Sequence, residues 1–189
     1  MLVGEGFRTL PLSTVRGFIG SGLPKLVERS LHAVGAGLTE ERLRDFTAHY
    51  ERLNGSAAEP FPGVLEALKR FRAAKLRLAC VTNKAARFTL PLLEKSRLAR
   101  FFDSVVTPDE VGKRKPDPEP FRYACATLGV DAGESLVVGD SANDAEAARA
   151  AGCPVLLVSY GYSEGRDVRT IDCDGVIATL EEAAERLLA

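Results

Sequence analysis

Apolar positions in the first third of the chain recur at three- and four-residue spacing. In LPKLVERSLHAV, Leu23, Val27, Leu31 and Val34 fall on one helical face, and Pro24 suits a first turn, where its missing N–H is no loss. In TEERLRDFTAHYERLNG, Thr39 is placed as N-cap, with Glu40 and Glu41 in the first turn. Leu43, Phe46, Tyr50 and Leu53 then form a stripe that stops at Asn54-Gly55. The pattern predicts an all-helical unit over residues 1–58. SAAEPFPG, residues 56–63, is rich in small residues and proline and reads as a hinge.

Beyond the hinge the period changes. GVLEALKRFRAA, EPFRYACATLGV and NDAEAARAAG keep helical spacing, whereas LRLACVT, DSVVT, SLVVGD and PVLLVSYG are short apolar runs bounded by polar or turn-forming residues. Strands alternating with helices predict βαβ units, hence an α/β fold: a Rossmann-like three-layer parallel sheet core over residues 59–189. Ligands of such sheets bind beyond the carboxyl ends of the strands, so the polar residues there are the candidates.

Composition narrows the partners. A formal charge of −1 argues against a broad nucleic-acid or anionic-membrane footprint, and there is no apolar run of membrane-spanning length. Cys80, Cys125, Cys153 and Cys173 form no C-x-x-C pair, and His32 and His49 are the only imidazoles. This spacing predicts buried thiols in a reducing cytoplasm, without a disulfide framework or a zinc site. MLVGEGFRTL has neither a basic head nor an apolar core, so no export signal is expected.

Three strand ends carry candidate chemistry. ACVTNK leaves Thr82 and Asn83 at a tip, where a hydroxyl and a backbone or side-chain N–H can hold phosphate oxygens; a polar turn with Thr82 as helix cap is the other reading. GKRKPDPEPF sets Lys115 ahead of a proline that biases the backbone to an extended form and so aims the side chain, although a solvated basic loop also accounts for it. In VVGDSANDAEAARAAG, Gly139 permits a tight turn, Asp140 stands at the strand end, and Asp144 lies on the first turn of a helix whose dipole favours carboxylates. Two such oxygen ligands suit Mg²⁺, which completes its shell with water and phosphate; a pair of helix-capping carboxylates is the alternative.

A hydroxyl, a lysine and paired aspartates in this order resemble the motifs of the haloacid dehalogenase superfamily. PFPGVLEALKRFRAAKLRLACVTNK and VRGFIGSGLPKLVERSL are similar in texture to the phosphoglycolate phosphatases, and the similarity runs over essentially the whole chain. The resemblance implies a Mg²⁺-dependent phosphatase of small phosphate monoesters, above all 2-phosphoglycolate, working through an aspartyl-phosphate. It implies that Thr82, Asn83 and Lys115 bind phosphate, with Thr82 and Lys115 catalytic, and that Asp140 and Asp144 serve the metal. It also implies a helical cap whose Gly20-Ser21-Gly22 loop selects the substrate. The family's D-x-D-G-T motif belongs on a central first strand between those ending at Thr82 and Asp140. No such segment occurs here, so that strand and the nucleophile are expected to be missing and the cap to be truncated at its amino end. A hexose-phosphate mutase-like phosphotransferase and a non-catalytic phosphate- or protein-binding remnant are the alternatives. The expected partner is a small phosphorylated metabolite, with a homodimer left open.

Asp172 and Asp174 in IDCDGVIATL imitate the absent motif. Only RTI precedes Asp172, too short and polar for a buried central strand, and 15 residues follow Asp174, most of them a charged helix. Both are expected to be loop residues ahead of an edge strand. Lys25 is expected to be solvated, and His32 and His49 to have packing or solvent roles.

Overall fold

The computed structural model describes residues 1–56 and 58–188, so the hinge reading over 56–63 falls partly outside the described residues, at Ala57. The helical lobe contains α1 (Leu12–Arg16), α2 (Leu23–His32) and α3 (Glu40–Leu53). There follow α4 (Val64–Ala73), β1 (Ala79–Val81), α5 (Ala86–Lys95), β2 (Ser104–Val106), α6 (Pro108–Val111) and α7 (Glu119–Leu128). The remainder comprises β3 (Val137–Gly139), α8 (Ala142–Ala151), β4 (Val155–Val158), β5 (Gly175–Ile177) and α9 (Leu180–Leu188).

In the lobe, the four-residue spacing of Val27 and Leu31 buries both completely on α2. The Thr39 hydroxyl caps α3 by accepting the Arg42 N–H at 3.2 Å. The expected stripe of α3 fails at its end, where Leu53 is 66% exposed. The buried residue there is Asn54, whose Nδ2 donates to the Phe88 carbonyl and whose own carbonyl accepts Lys95 Nζ, each at 2.7 Å. The stop of α3 is therefore also a tie to α5, reinforced by Tyr50, whose ring meets Phe88 edge-on at 5.0 Å.

All strand pairs are parallel. Ala79 faces Ser104, Val137 faces Val155, and Leu156 faces Gly175. The ladders form two sheets, β1-β2 and β3-β4-β5, and within the described residues none joins β1 to β3. The alternation predicted one sheet; the division falls between the strand ends carrying Thr82 and Asp140. Helix α7 spans it, packing against β1, β2 and α8. On β4, Val155 and Leu157 enter one core cluster with Phe121 and Ala148, while Leu156 and Val158 enter another with Phe71 and Ile177. A strand buried on both faces is the middle of three layers, and each such side chain contributes about 1.5 to 3 kcal/mol.

Asp172 and Asp174 precede β5, the outer strand of its sheet. Asp174 accepts the Val155 N–H at 2.7 Å and an Arg149 N–H at 2.9 Å. In a parallel sheet this is the amino end of the strands, opposite to the end where β3 delivers Asp140.

Candidate active site

Thr82 extends the β1 ladder by donating its N–H to the Val106 carbonyl at 3.0 Å. Its hydroxyl oxygen accepts the Lys84 N–H at 3.1 Å, which leaves the hydroxyl proton to a ligand. The Asn83 carboxamide is engaged on all sides. It accepts the Lys115 N–H at 2.8 Å and donates to the carbonyls of Lys115 at 2.9 Å and Gly20 at 3.1 Å. That side chain thus clamps the Lys115 peptide, and of the two N–H sources the sequence suggested at Asn83, the main-chain one is left for phosphate.

The Lys115 ammonium is nearly buried. It donates to the Val81 carbonyl and to Asp144 Oδ1, each at 2.7 Å, and retains one further proton to donate. The other oxygen of Asp144 accepts from Ser141 Oγ at 2.6 Å, Ser141 N at 3.1 Å and Asp140 N at 3.2 Å. Ser141 and Asp144 form a capping box at the start of α8. One oxygen of Asp144 therefore caps the helix, as the alternative reading had it, while the other holds the lysine and is not left open for a metal. Burial alone would raise the Asp144 carboxyl, but Lys115, Ser141 and the Asp140 N–H hold it below the ordinary range.

Asp140 is the opposite case. Its Oδ2 accepts the Tyr162 N–H at 2.9 Å, and among the described residues no donor takes Oδ1. Desolvation, with the Asp144 charge beside it, pushes its carboxyl up to about 6, although the Tyr162 N–H pulls the other way. Two glycines make room for these side chains. A Cβ on Gly139 would lie 2.3 Å from Asp144 Cβ, and one on Gly161 would lie 2.1 Å from Asp140 Cβ.

The expected cap loop reaches the same place. Gly20 bonds Asn83 through its carbonyl, and Ser21 donates to Glu164 at 2.5 Å. Arg29 of α2 pairs with Glu164 at 3.2 Å. Burial raises Glu164, but Ser21 and Arg29 together hold it below the usual carboxylate range. The loop 20–22 is thus pinned to the core through Gly20 and Ser21. Lys25 pairs with Glu28 on the surface, and His32 and His49 are exposed. Gly161, Tyr162 and Glu164, beyond β4, escaped the sequence reading; the available signal was a glycine between two tyrosines just past an apolar strand.

Among the described residues no group of three or more acidic, histidine or cysteine side chains gathers as a metal cage. The donor set does fit Mg²⁺, which binds through one or two carboxylates and keeps waters. Asp140 has an open hard oxygen whose charge is poorly solvated, and a cation there would relieve that penalty. Asp144, with both oxygens taken, supports Asp140 and Lys115 from behind.

The model of the haloacid dehalogenase-like hydrolase family matches residues 3–152. The chain is 45% identical over 190 residues to a phosphoglycolate phosphatase of Nitrosospira multiformis, covering 98% of this chain and 84% of that one. It is 42% identical to the phosphoglycolate phosphatase of Thiobacillus denitrificans, with 97% and 84% covered. The crystal structure of a predicted phosphoglycolate phosphatase from Haemophilus somnus superposes with a TM-score of 0.92 at 27% identity, over 98% of this chain and 86% of that one.

Proposed function

The chain belongs to the haloacid dehalogenase-like hydrolase family, and from that membership we propose that it is a Mg²⁺-dependent phosphatase cleaving 2-phosphoglycolate to glycolate and phosphate. The observation that carries the proposal is the Lys115 ammonium, held by a saturated Asp144 beside an Asp140 with one open oxygen. Residues 1–58 act as a cap over the core of residues 59–189, and the compartment is a reducing cytoplasm, in keeping with four free cysteines. Among the described residues no helix is long and apolar enough to cross a membrane.

The Thr82 hydroxyl and the Asn83 main-chain N–H hold two phosphoryl oxygens, and the remaining Lys115 proton neutralises the charge that builds on them. Asn83 and Asp144 fix Lys115 from its backbone and its tip, so little reorganisation is needed as that charge develops. Asp140 holds Mg²⁺, with Asp144 supporting; the ion, when bound, supplies charge neutralisation and orientation of the phosphate. The pinned loop 20–22 excludes water and frames the leaving group. None of these side chains is given the attack on phosphorus, which in the family falls to an aspartate.

The test is phosphate release from 2-phosphoglycolate, with Mg²⁺ and with EDTA, by a version of the protein that carries the family's nucleophilic aspartate. Mg²⁺-dependent release of phosphate and glycolate is expected. A hexose phosphate converted to its isomer without release would replace the proposal with a mutase, and binding without any turnover would make the protein a phosphate binder.

A further inference from the structure

Among the described residues the two sheets share no ladder, and at their carboxyl ends the loop 20–22 of the helical lobe reaches across the division. On the β1 side, the Gly20 carbonyl accepts Asn83 Nδ2 at 3.1 Å, and the same carboxamide clamps the Lys115 peptide. On the β4 side, Ser21 donates to Glu164 Oε1 at 2.5 Å, and Glu164 lies two residues beyond Tyr162, whose N–H holds Asp140. Two successive residues of one loop therefore join the clamp on Lys115 to the segment that holds Asp140.

Glu164 is fitted to this crossing. It is half-buried, and its second oxygen accepts from Arg29 of α2 at 3.2 Å. Arg29 also donates to the Phe18 carbonyl at 3.3 Å, so one carboxylate holds the loop from both flanks. Gly20 makes the approach possible, since a Cβ there would fall 2.8 Å from Glu164 Oε1. The backbone of Glu164 has a φ of 53°, a left-handed conformation with a steric cost that a glycine would not incur. A glutamate in that conformation is accounted for by what its carboxylate holds.

We propose that Glu164 is a positioning residue: through loop 20–22 it braces the two sheets against each other and fixes Lys115 relative to Asp140. This deepens the phosphatase reading and rests on it for the use made of those two side chains. Asp144 ties the tip of Lys115 to the β3-β4-β5 side, and the path through Asn83, Gly20, Ser21 and Glu164 ties its backbone to the same side. Groups on separate sheets can act on one phosphate only while their spacing is held.

The experiment is residue-resolved amide hydrogen exchange on wild type, Glu164→Ala, Glu164→Gln and Ser21→Ala. The Lys115 amide decides it, because Lys115 lies on the β1 side and bonds neither Ser21 nor Glu164. Glu164→Ala should speed exchange there by about 10- to 150-fold, the worth of one hydrogen bond to a charged group, while Leu157 in the middle of β4 stays protected. Glu164→Gln keeps an acceptor for Ser21 and should restore part of the protection. Ser21→Ala should reproduce the effect at Lys115 and add little when combined with Glu164→Ala, since both break the same tie. An unchanged Lys115 amide overturns the proposal. If Glu164→Ala speeds every amide alike, Ser21→Ala decides: a rise confined to the loop and the Lys115 and Tyr162 amides upholds the brace, and no rise at Lys115 overturns it. Calorimetric titration with inorganic phosphate in the presence of Mg²⁺ tests the underlying reading separately. Weaker phosphate binding by Glu164→Ala than by wild type is expected, and equal affinities overturn the positioning role. If wild type binds no phosphate, the phosphatase reading fails, and exchange at Lys115 alone still upholds or overturns the brace.

Discussion

Replacing Asp140 with asparagine should stabilise the metal-free protein at neutral pH. Asparagine keeps an acceptor for the Tyr162 N–H and removes the charge that desolvation and Asp144 disfavour. The folded-state carboxyl lies at about 6 against an ordinary 3.8, so the folded form binds this proton more tightly than the unfolded chain does. The associated stability is fully present below about pH 4 and is lost as pH rises through about 6. At about 1.4 kcal/mol per pH unit, wild type at pH 7.5 forgoes about 3 kcal/mol, and at pH 4.5 about 1 kcal/mol. Urea unfolding of wild type and Asp140→Asn in EDTA at these two pH values measures the difference directly. The variant's advantage should approach 3 kcal/mol at pH 7.5, less whatever the new amide N–H₂ loses by burial, and should shrink by about 2 kcal/mol at pH 4.5. Adding Mg²⁺ at pH 7.5 should cancel most or all of that advantage, because a ligand at 100 times its Kd stabilises the binding-competent protein by about 2.7 kcal/mol and should leave the variant unaffected. A variant less stable than wild type by the same amount at both pH values, with equal responses to Mg²⁺, would refute both the strained carboxylate and the metal site.

Three further substitutions probe the surrounding contacts. Lys115→Ala strands the buried Asp144 charge and should lower unfolding stability by about 3 to 5 kcal/mol, read by urea denaturation, with Lys115→Ala/Asp144→Asn recovering part of the loss. Gly161→Ala drives a methyl group into Asp140 and should abolish the Mg²⁺-induced rise in thermal stability, while Gly133→Ala, which meets nothing within 4 Å, should leave that rise intact. In the version that carries the nucleophilic aspartate, Asp172→Asn/Asp174→Asn should leave phosphate release within about twofold of its parent, because both residues sit at the amino end of the strands where Asp174 bonds Arg149 and Val155; a collapse of turnover would return these residues to the active site.

The parts of the fold that depend on local period were open to sequence reasoning. Val27 and Leu31 are buried because four residues close one helical turn, and β4 is buried throughout because its four apolar residues alternate between two cores. Thr39 capped α3 as its position required. Leu53 defeated the periodicity because the chain leaves α3 there and a polar residue, Asn54, makes the long-range tie to α5. The division into two sheets was not legible as such either, since hydropathy marks a run as a strand without specifying which edge it pairs.

Residue identity and strand-end placement were enough to bring forward Thr82, Lys115, Asp140 and Asp144 as candidates, but not to show how their side chains bond one another. That division is a matter of how many lone pairs are already taken. Asp144 receives four hydrogen bonds and keeps its charge; Asp140 receives one from Tyr162 and holds its proton to about pH 6. The saturated carboxylate is a fixed negative charge bonded to a lysine, and the unsaturated one is where the proposed function puts the cation. Both depend on a missing methyl group, at Gly139 for Asp144 and at Gly161 for Asp140. The glycine that shapes the second aspartate lies 21 residues further along the chain, on another strand's loop, where no spacing rule connects them. A pair of aspartates four residues apart is therefore ambiguous between capping and catalysis until the partner loop is in place, and here the Tyr160-Gly161-Tyr162 loop sets the two apart by bonding Asp140 and leaving its second oxygen open.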